Sequence, residues 1–264
     1  MYEASAPIKN SKSERIEVMN IKISVLPNAE ELGKEAAKKA AGLLRKAVAE
    51  QGYARLVLST GMSQFETIQA LTQEDVPWDQ VEMFHLDEYV NLPETHIASF
   101  RKYLKERFVS QVSLKGAYFV DGEGDVECNI RTLTEVLQQK PIDVGIVGIG
   151  ENAHIAFNDP PADFDTTAAY MVVDLDERCK QQQVGEGWFG SFEEVPKQAI
   201  TMTVRQIMTC KHIITCVPHA AKADAIYQTI TMPVSPQIPA TILKTHPDWS
   251  LFVDDNSAAK LFAV

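Results

Sequence analysis

The chain has 264 residues, enough for one large α/β domain or two small ones with a sizeable core. Its formal net charge of −11 argues against nonspecific nucleic-acid binding, which depends on neutralising phosphates. It does not exclude a small anionic ligand, because one lysine and a few backbone N–H groups set a local potential of the opposite sign. With 45% hydrophobic residues the composition is that of an ordinary globular protein, and no apolar run approaches the ~18 residues of a membrane span. The opening MYEASAPIKNSKSERIE has no apolar stretch of the signal-peptide kind, so a cytoplasmic protein without membrane partners is expected. Four scattered cysteines (Cys128, Cys179, Cys210, Cys216) lack metal-finger spacing and read as buried or free thiols.

Residues 1–18 are polar and are expected to form a flexible arm, leaving a single domain over 19–264. Ile21 to Pro27 reads as a first strand, and Asn28 as the N-cap of a helix running to about Glu50. Arg55 to Ser59 is an apolar strand, followed by a helical run to about Leu71. Val81 to Tyr89 is a third strand signal, and Ile97 to Phe108 is amphipathic with helical spacing. A weak strand at Ala117 to Asp121 precedes a helix over Ile130 to Gln139 and a strand from Val144 to Val147. His212 to Val217, a helix from about Ala220, another around Pro239 to Lys244, and a strand from Trp249 to Asp254 complete the pattern. Alternation at this spacing indicates a mostly parallel α/β sheet with helices on both faces. The segment from Asp159 to Lys197 is too long for a simple connection; such excursions are commonly lids, binding loops or insertions without a catalytic part.

Ligands of open α/β sheets bind outside the carboxyl ends of strands, so the residues just after each strand carry the chemical interest. In LSTGMSQ, a glycine turn with hydroxyl residues leads into a helix, an anion site by physics. Thr60, Gly61, Met62 and Ser63 are its elements, although such turns also cap helices with no ligand present. FHLDEY places Asp87 and Glu88 after a buried strand, where partial desolvation raises a carboxyl pKa toward that of a useful general base. A capping or surface role is the plain alternative for either. In GIGENAHIAFNDPP, His154 follows a strand, and an imidazole exchanges protons near neutral pH. Asp159 or Asn152 is placed to orient it. Lys222, in the first turn of a helix after a strand, can reach a phosphate as a point charge, although a lone lysine is usually solvated.

Taken together, LSTGMSQ, FHLDEYV, GIGENAHIAFNDPP, VPKQAITM and VPHAAKA resemble the glucosamine-6-phosphate deaminase (isomerase) family, within the larger group that includes 6-phosphogluconolactonases. The resemblance runs from about Ile21 to Asp254, with the motifs in family order. It implies a Rossmann-like α/β sheet that binds a sugar 6-phosphate, and an enzyme that turns glucosamine 6-phosphate into fructose 6-phosphate and ammonia with no metal or redox cofactor. Asp87 would then remove the proton beside the amine-bearing carbon, and His154, oriented by Asp159, would help to open the ring. Thr60 to Ser63 and Lys222 match the family's phosphate-binding elements. Monomers, dimers and hexamers occur in the group, so the resemblance admits a homo-oligomer. Alternatives are another amino sugar phosphate, a 6-phosphogluconolactonase-type hydrolase, or a catalytically weak sugar-phosphate sensor.

The chain also departs from the family pattern. Asn152 and Ala153 stand where Asp-Gly is familiar, and Asn carries no charge with which to stabilise an imidazolium. Ala153 costs ~1 kcal/mol if its position requires a positive φ. Gln183 stands where an arginine contacts the substrate phosphate, with Arg178 and Lys180 near enough in sequence to substitute. Ala169 and Met171 replace the basic residues of an allosteric phosphate site found in some bacterial members. The expected outcome is no activation by N-acetylglucosamine 6-phosphate. Deaminase assays with and without that effector check this, and a sharp rise in rate would refute it.

Overall fold

The computed structural model describes residues 14–18 and 21–262. Among the described residues, eleven strands form two sheets, accompanied by seven α-helices. Strands β1 (Glu14–Val18), β2 (Ile21–Leu26), β3 (Ala54–Leu58), β4 (Val81–His85), β6 (Gly116–Tyr118), β7 (Val144–Val147), β10 (His212–Val217) and β11 (Trp249–Asp254) build the larger one. Their order is β1-β2-β11-β10-β7-β3-β4-β6, and all neighbours are parallel except β1, which runs antiparallel to β2. The flexible arm expected through residue 18 therefore gives way at Glu14 to an edge strand. Residues 1–13 lie outside the described residues.

Side-chain alternation along each strand splits the core between the two faces of this sheet. Ile213 and Val217 join one apolar cluster, with Val57, Val147, Leu251 and Val253; Ile214 and Cys216 join the other, with Leu56, Leu58 and Phe252. Helix α1 (Ala29–Gln51) covers the second face with a stripe running through Leu32, Ala36, Ala40 and Leu44. It starts as expected at Asn28, whose side chain accepts a hydrogen bond from Glu31 N at 3.0 Å. It ends at Gly52, where φ is 77°. Helix α2 (Phe65–Thr72) lies so close to α1 that a Cβ on Gly33 would fall 2.6 Å from the Glu66 backbone. Helix α4 (Val126–Leu137), α6 (Val204–Ile207) and α7 (Ala223–Thr231) supply Leu133, Val204 and Ile226 to the first face.

Three local outcomes differ from the expected pattern. The apolar run Val81 to Tyr89 is two strands, because the chain turns off the parallel sheet at Leu86. β5 (Asp87–Tyr89) then pairs antiparallel with β9 (Gln198–Met202), which in turn pairs with β8 (Tyr170–Asp174), giving a second, three-stranded sheet. The long excursion is therefore ordered structure, containing β8 and helix α5 (Glu177–Gly185). The helix expected from Ile97 starts only at α3 (Phe100–Leu104), after the Ser99 N-cap, and continues as a π-helical turn to Val109. Pro239–Thr245 is a 3-10 segment, not an α-helix. Among the described residues, no helix is long and apolar enough to cross a membrane.

The turn at Leu86 is secured by a buried acid. The fully buried Glu88 carboxylate accepts hydrogen bonds from Tyr89 N (3.0 Å), Ser99 Oγ (2.9 Å), Phe100 N (3.2 Å) and Arg101 N (2.8 Å). Arg101 Nε pairs with it at 3.3 Å. The Arg101 guanidinium also reaches Asp121 (2.6 Å), Glu123 (2.7 Å) and Leu92 O (3.0 Å). Truncating Glu88 strands its buried donors without their acceptor, while Arg101 keeps Asp121 and Glu123; each buried donor left unsatisfied costs about 1–3 kcal/mol. Glu88→Ala is expected to lose stability of that order, as measured by urea unfolding; a loss below about 1 kcal/mol would contradict this role.

Candidate active site

β3 and β7 are neighbours, but from β3 the sheet continues outward through β4 and β6, and from β7 through β10 and β11. Connections therefore diverge at their carboxyl ends and leave a crevice, the position where open α/β sheets bind ligands. A cavity of ≈ 240 Å³ lies there, walled by the segments that follow β3, β4, β7 and β10 and by one face of α5. Of the residues singled out in the sequence, Thr60, Gly61, Met62, Ser63, Asp87, His154, Gln183 and Lys222 line it. Asn152 and Asp159 do not; they stand behind His154.

After β3 the chain passes Gly61, whose φ of 99° favours glycine, into a 3-10 turn (Met62–Gln64) that runs directly into α2. The first turn of such a helix leaves its N–H groups without intrahelical partners, and its dipole favours negative charge. Gln64 is buried and locks this cradle to the strand beside β7, donating to Cys216 O at 3.0 Å and to Ser63 Oγ at 3.1 Å. Tyr103 clamps it from outside, donating to Gly61 O at 3.1 Å.

The structure separates the two carboxylates of the Asp-Glu-Tyr motif. Adjacent strand residues face opposite sides, so with Glu88 committed to the interior, Asp87 is presented to the cavity. Asp87 is only 6% exposed. Burial, aided by the Glu88 charge, raises its pKa well above the usual carboxylate value. Burial also raises Glu88, against the opposing effect of the hydrogen bonds it accepts.

After β7, His154 Nδ1 lies 3.0 Å from Asp159 Oδ1, within ion-pair distance but without a well-aligned hydrogen bond. Burial pushes the Asp159 pKa up, but the His154 and Asn152 contacts outweigh it and hold the carboxyl below its usual range. Asn152 was expected as an acceptor for the imidazole. It instead donates from Nδ2 to Asp159 Oδ1 at 2.9 Å and accepts from the His154 backbone N–H at 3.1 Å. It therefore fixes the aspartate and the loop, and touches the ring through neither atom. Ala153 does adopt a positive φ, 64°, as does Ala156 at 51°. The loop is bolted to β9: Thr201 Oγ1 accepts from Phe157 N at 3.0 Å, and Asn158 Nδ2 donates to Met202 O at 2.9 Å. Gly150 leaves room for the imidazole; a Cβ there would fall 2.2 Å from the ring.

Helix α5 contributes Gln182, Gln183 and, one residue past its end, Glu186. Gln183 occupies the cavity wall, but the cations expected to stand in for an arginine do not join it. Arg178 lines a neighbouring hollow, and Lys180 lies over the Phe192 ring, 5.5 Å from its centroid. Lys222 is 7% exposed, and burial lowers its pKa against the pull of Glu186 and Glu151. Sequence reasoning passed over Glu151, Glu186 and His219, all of which line the cavity. The i,i+4 spacing of Gln182 and Glu186 was the available signal for one of them.

An acid whose pKa is raised on folding carries no penalty below its unfolded value near 3.8 and loses stability as pH rises from there toward the folded value. Asp87→Asn abolishes that loss. The variant is expected to melt above the parent at pH 7 and level with it at pH 3; an equal or lower melting temperature at pH 7 would contradict the burial cost.

Known proteins are similar to this chain in sequence and in fold. Residues 27–251 match the family described as glucosamine-6-phosphate isomerases/6-phosphogluconolactonase. The glucosamine-6-phosphate deaminase of Lactobacillus delbrueckii subsp. bulgaricus is 33% identical over 242 residues, covering 91% of this chain and 100% of that one. The Streptococcus thermophilus protein of the same name is 35% identical over 228 residues, covering 86% and 96%. A solved monomeric glucosamine-6-phosphate deaminase superposes with a TM-score of 0.81 at 27% identity, covering 90% of this chain and 98% of that one. The chain belongs to the glucosamine-6-phosphate isomerase/6-phosphogluconolactonase family.

Proposed function

We propose that this protein is an amino-sugar-phosphate deaminase that converts glucosamine 6-phosphate and water to fructose 6-phosphate and ammonia, and that it works in the cytoplasm. The observation that carries the reading is the buried Asp87 carboxylate facing the same small cavity as His154 and the Gly61 cradle. A lactone hydrolase needs no base for C–H abstraction; an aldose–ketose isomerisation does.

In this reading the cradle at Thr60–Ser63 and the Lys222 ammonium hold the substrate phosphate, supplying binding energy remote from the reacting carbons. His154, oriented by Asp159, moves the proton between the ring oxygen and the C1 hydroxyl, opening the pyranose to the aldehyde. Asp87 then takes the C2 proton, giving an enol with the amine still attached, and returns it to C1. The resulting C2 imine adds water and expels ammonia, leaving the ketose. Burial suits Asp87 to this step, because a carboxylate of raised proton affinity is a stronger base toward a weakly acidic C–H. Gln183, and Asn152 through Asp159, support substrate binding and catalysis respectively. None of these steps calls for a metal or a redox cofactor. The monomeric structural relative makes a monomer the working assumption.

Purified protein incubated with glucosamine 6-phosphate is expected to release ammonia and fructose 6-phosphate in equal amounts. Asp87→Asn is expected to reduce kcat by roughly 10²–10⁴-fold while leaving fructose 6-phosphate binding in place. Hydrolysis of 6-phosphogluconolactone without deamination would replace the reading with the lactonase. Tight binding with no turnover of either compound would replace it with a sensor.

A further inference from the structure

His219 holds a backbone conformation that costs the protein something and serves no visible structural end. Its φ of 79° and ψ of 144° lie beside a region that is almost glycine's alone. Two backbone contacts maintain it. Its N–H donates to Asp254 Oδ2 at 3.1 Å, and its C=O accepts from Lys222 N at 3.0 Å. Asp254 is itself buried and fixed by the Ser257 N–H at 2.7 Å. Glycine would satisfy every one of these bonds without the steric penalty, because they involve only the backbone.

What histidine adds is its side chain, at the rim of the cavity described above. It lines that cavity three residues before Lys222, and among the described residues its imidazole has no hydrogen-bond or ion-pair partner within the protein. The charge balance there leaves room for another donor. Among the described residues lining the cavity, Lys222 is the one lysine or arginine, set against the carboxyl groups of Asp87, Glu151 and Glu186. A phosphate dianion held by the Gly61 cradle would thus meet one cation on a wall otherwise rich in acid.

We propose that His219 is a second anion-binding side chain of this site, donating a ring N–H to the phosphate of the substrate beside Lys222, and that its strained backbone is retained for that contact. The proposal rests on the phosphate-site reading above and extends it from Lys222 to a second side chain of the same VPHAAKA stretch.

Glycine separates the two roles. Calorimetric titration with fructose 6-phosphate, and with inorganic phosphate as a probe lacking the sugar, is compared for the parent, His219→Gly and His219→Asn. His219→Gly is expected to melt at or above the parent temperature, yet bind fructose 6-phosphate about 10- to 100-fold more weakly, as expected for one hydrogen bond to a charged group. In turnover the loss falls on KM. His219→Asn carries a non-glycine backbone like the parent and keeps a side-chain donor, so it recovers part of the affinity. Parent-like affinity in His219→Gly would overturn the proposal, as would a loss that His219→Asn does not relieve at all. If the parent protein binds neither probe, the phosphate-site reading fails as well, which distinguishes the two failures.

Discussion

The site depends on the buried pairing of Glu88 with Arg101. Two charges removed from water are expensive unless their hydrogen-bonding capacity is filled, and here it is: the carboxylate takes backbone and hydroxyl donors from the start of α3, while the guanidinium collects Asp121, Glu123 and the Leu92 carbonyl. The knot joins β5, α3 and the loop after β6 at one point. It therefore determines where the chain leaves the parallel sheet, and with it which way β5 faces. Since consecutive strand residues point oppositely, an interior Glu88 entails a cavity-facing Asp87. The neighbouring negative charge, moreover, helps burial to raise the proton affinity of Asp87.

Around Asp87 the protein accepts several local costs. Asp87 and Lys222 are ionisable groups held largely out of water, and burial shifts each toward its neutral form. Ala153 and His219 hold positive φ without being glycine. Such strain persists only where the surroundings over-determine it. The loop carrying His154 meets that condition through its bonds to Thr201 and Met202 on β9, and His219 through Asp254. Both strained residues stand beside groups that the proposed chemistry uses. The stability to absorb these costs comes from elsewhere, from a sheet covered on both faces by apolar side chains.

The regions where local pattern and structure diverge are instructive. Val81 to Tyr89 carries one continuous β signal, yet it serves two sheets, because apolar strand residues look alike whether their partner is β3 or β9. The excursion between Asp159 and Lys197 has weak periodicity, since β8 is half exposed and α5 is polar along most of its length. Its strand finds its partner only through β9, a pairing over long sequence separation that no local window contains.

The sequence by itself determined the strands and helices of the parallel sheet, because burial on both faces demands apolar runs and its helices announce themselves with caps such as Asn28. It also pointed to Thr60 to Ser63, Asp87, His154 and Lys222 among the cavity-lining residues, because ligands of this architecture sit just past strand ends and those positions can be counted. The resemblance already singles out Asp87, but only the tertiary structure showed that it faces the cavity while Glu88 does not, since that turns on the pairing of Glu88 with Arg101. Only it decided that Asn152 holds Asp159 and leaves the imidazole ring untouched. Only it brought Glu151, Glu186 and His219 to one wall, because they follow three different elements and are neighbours nowhere but in space.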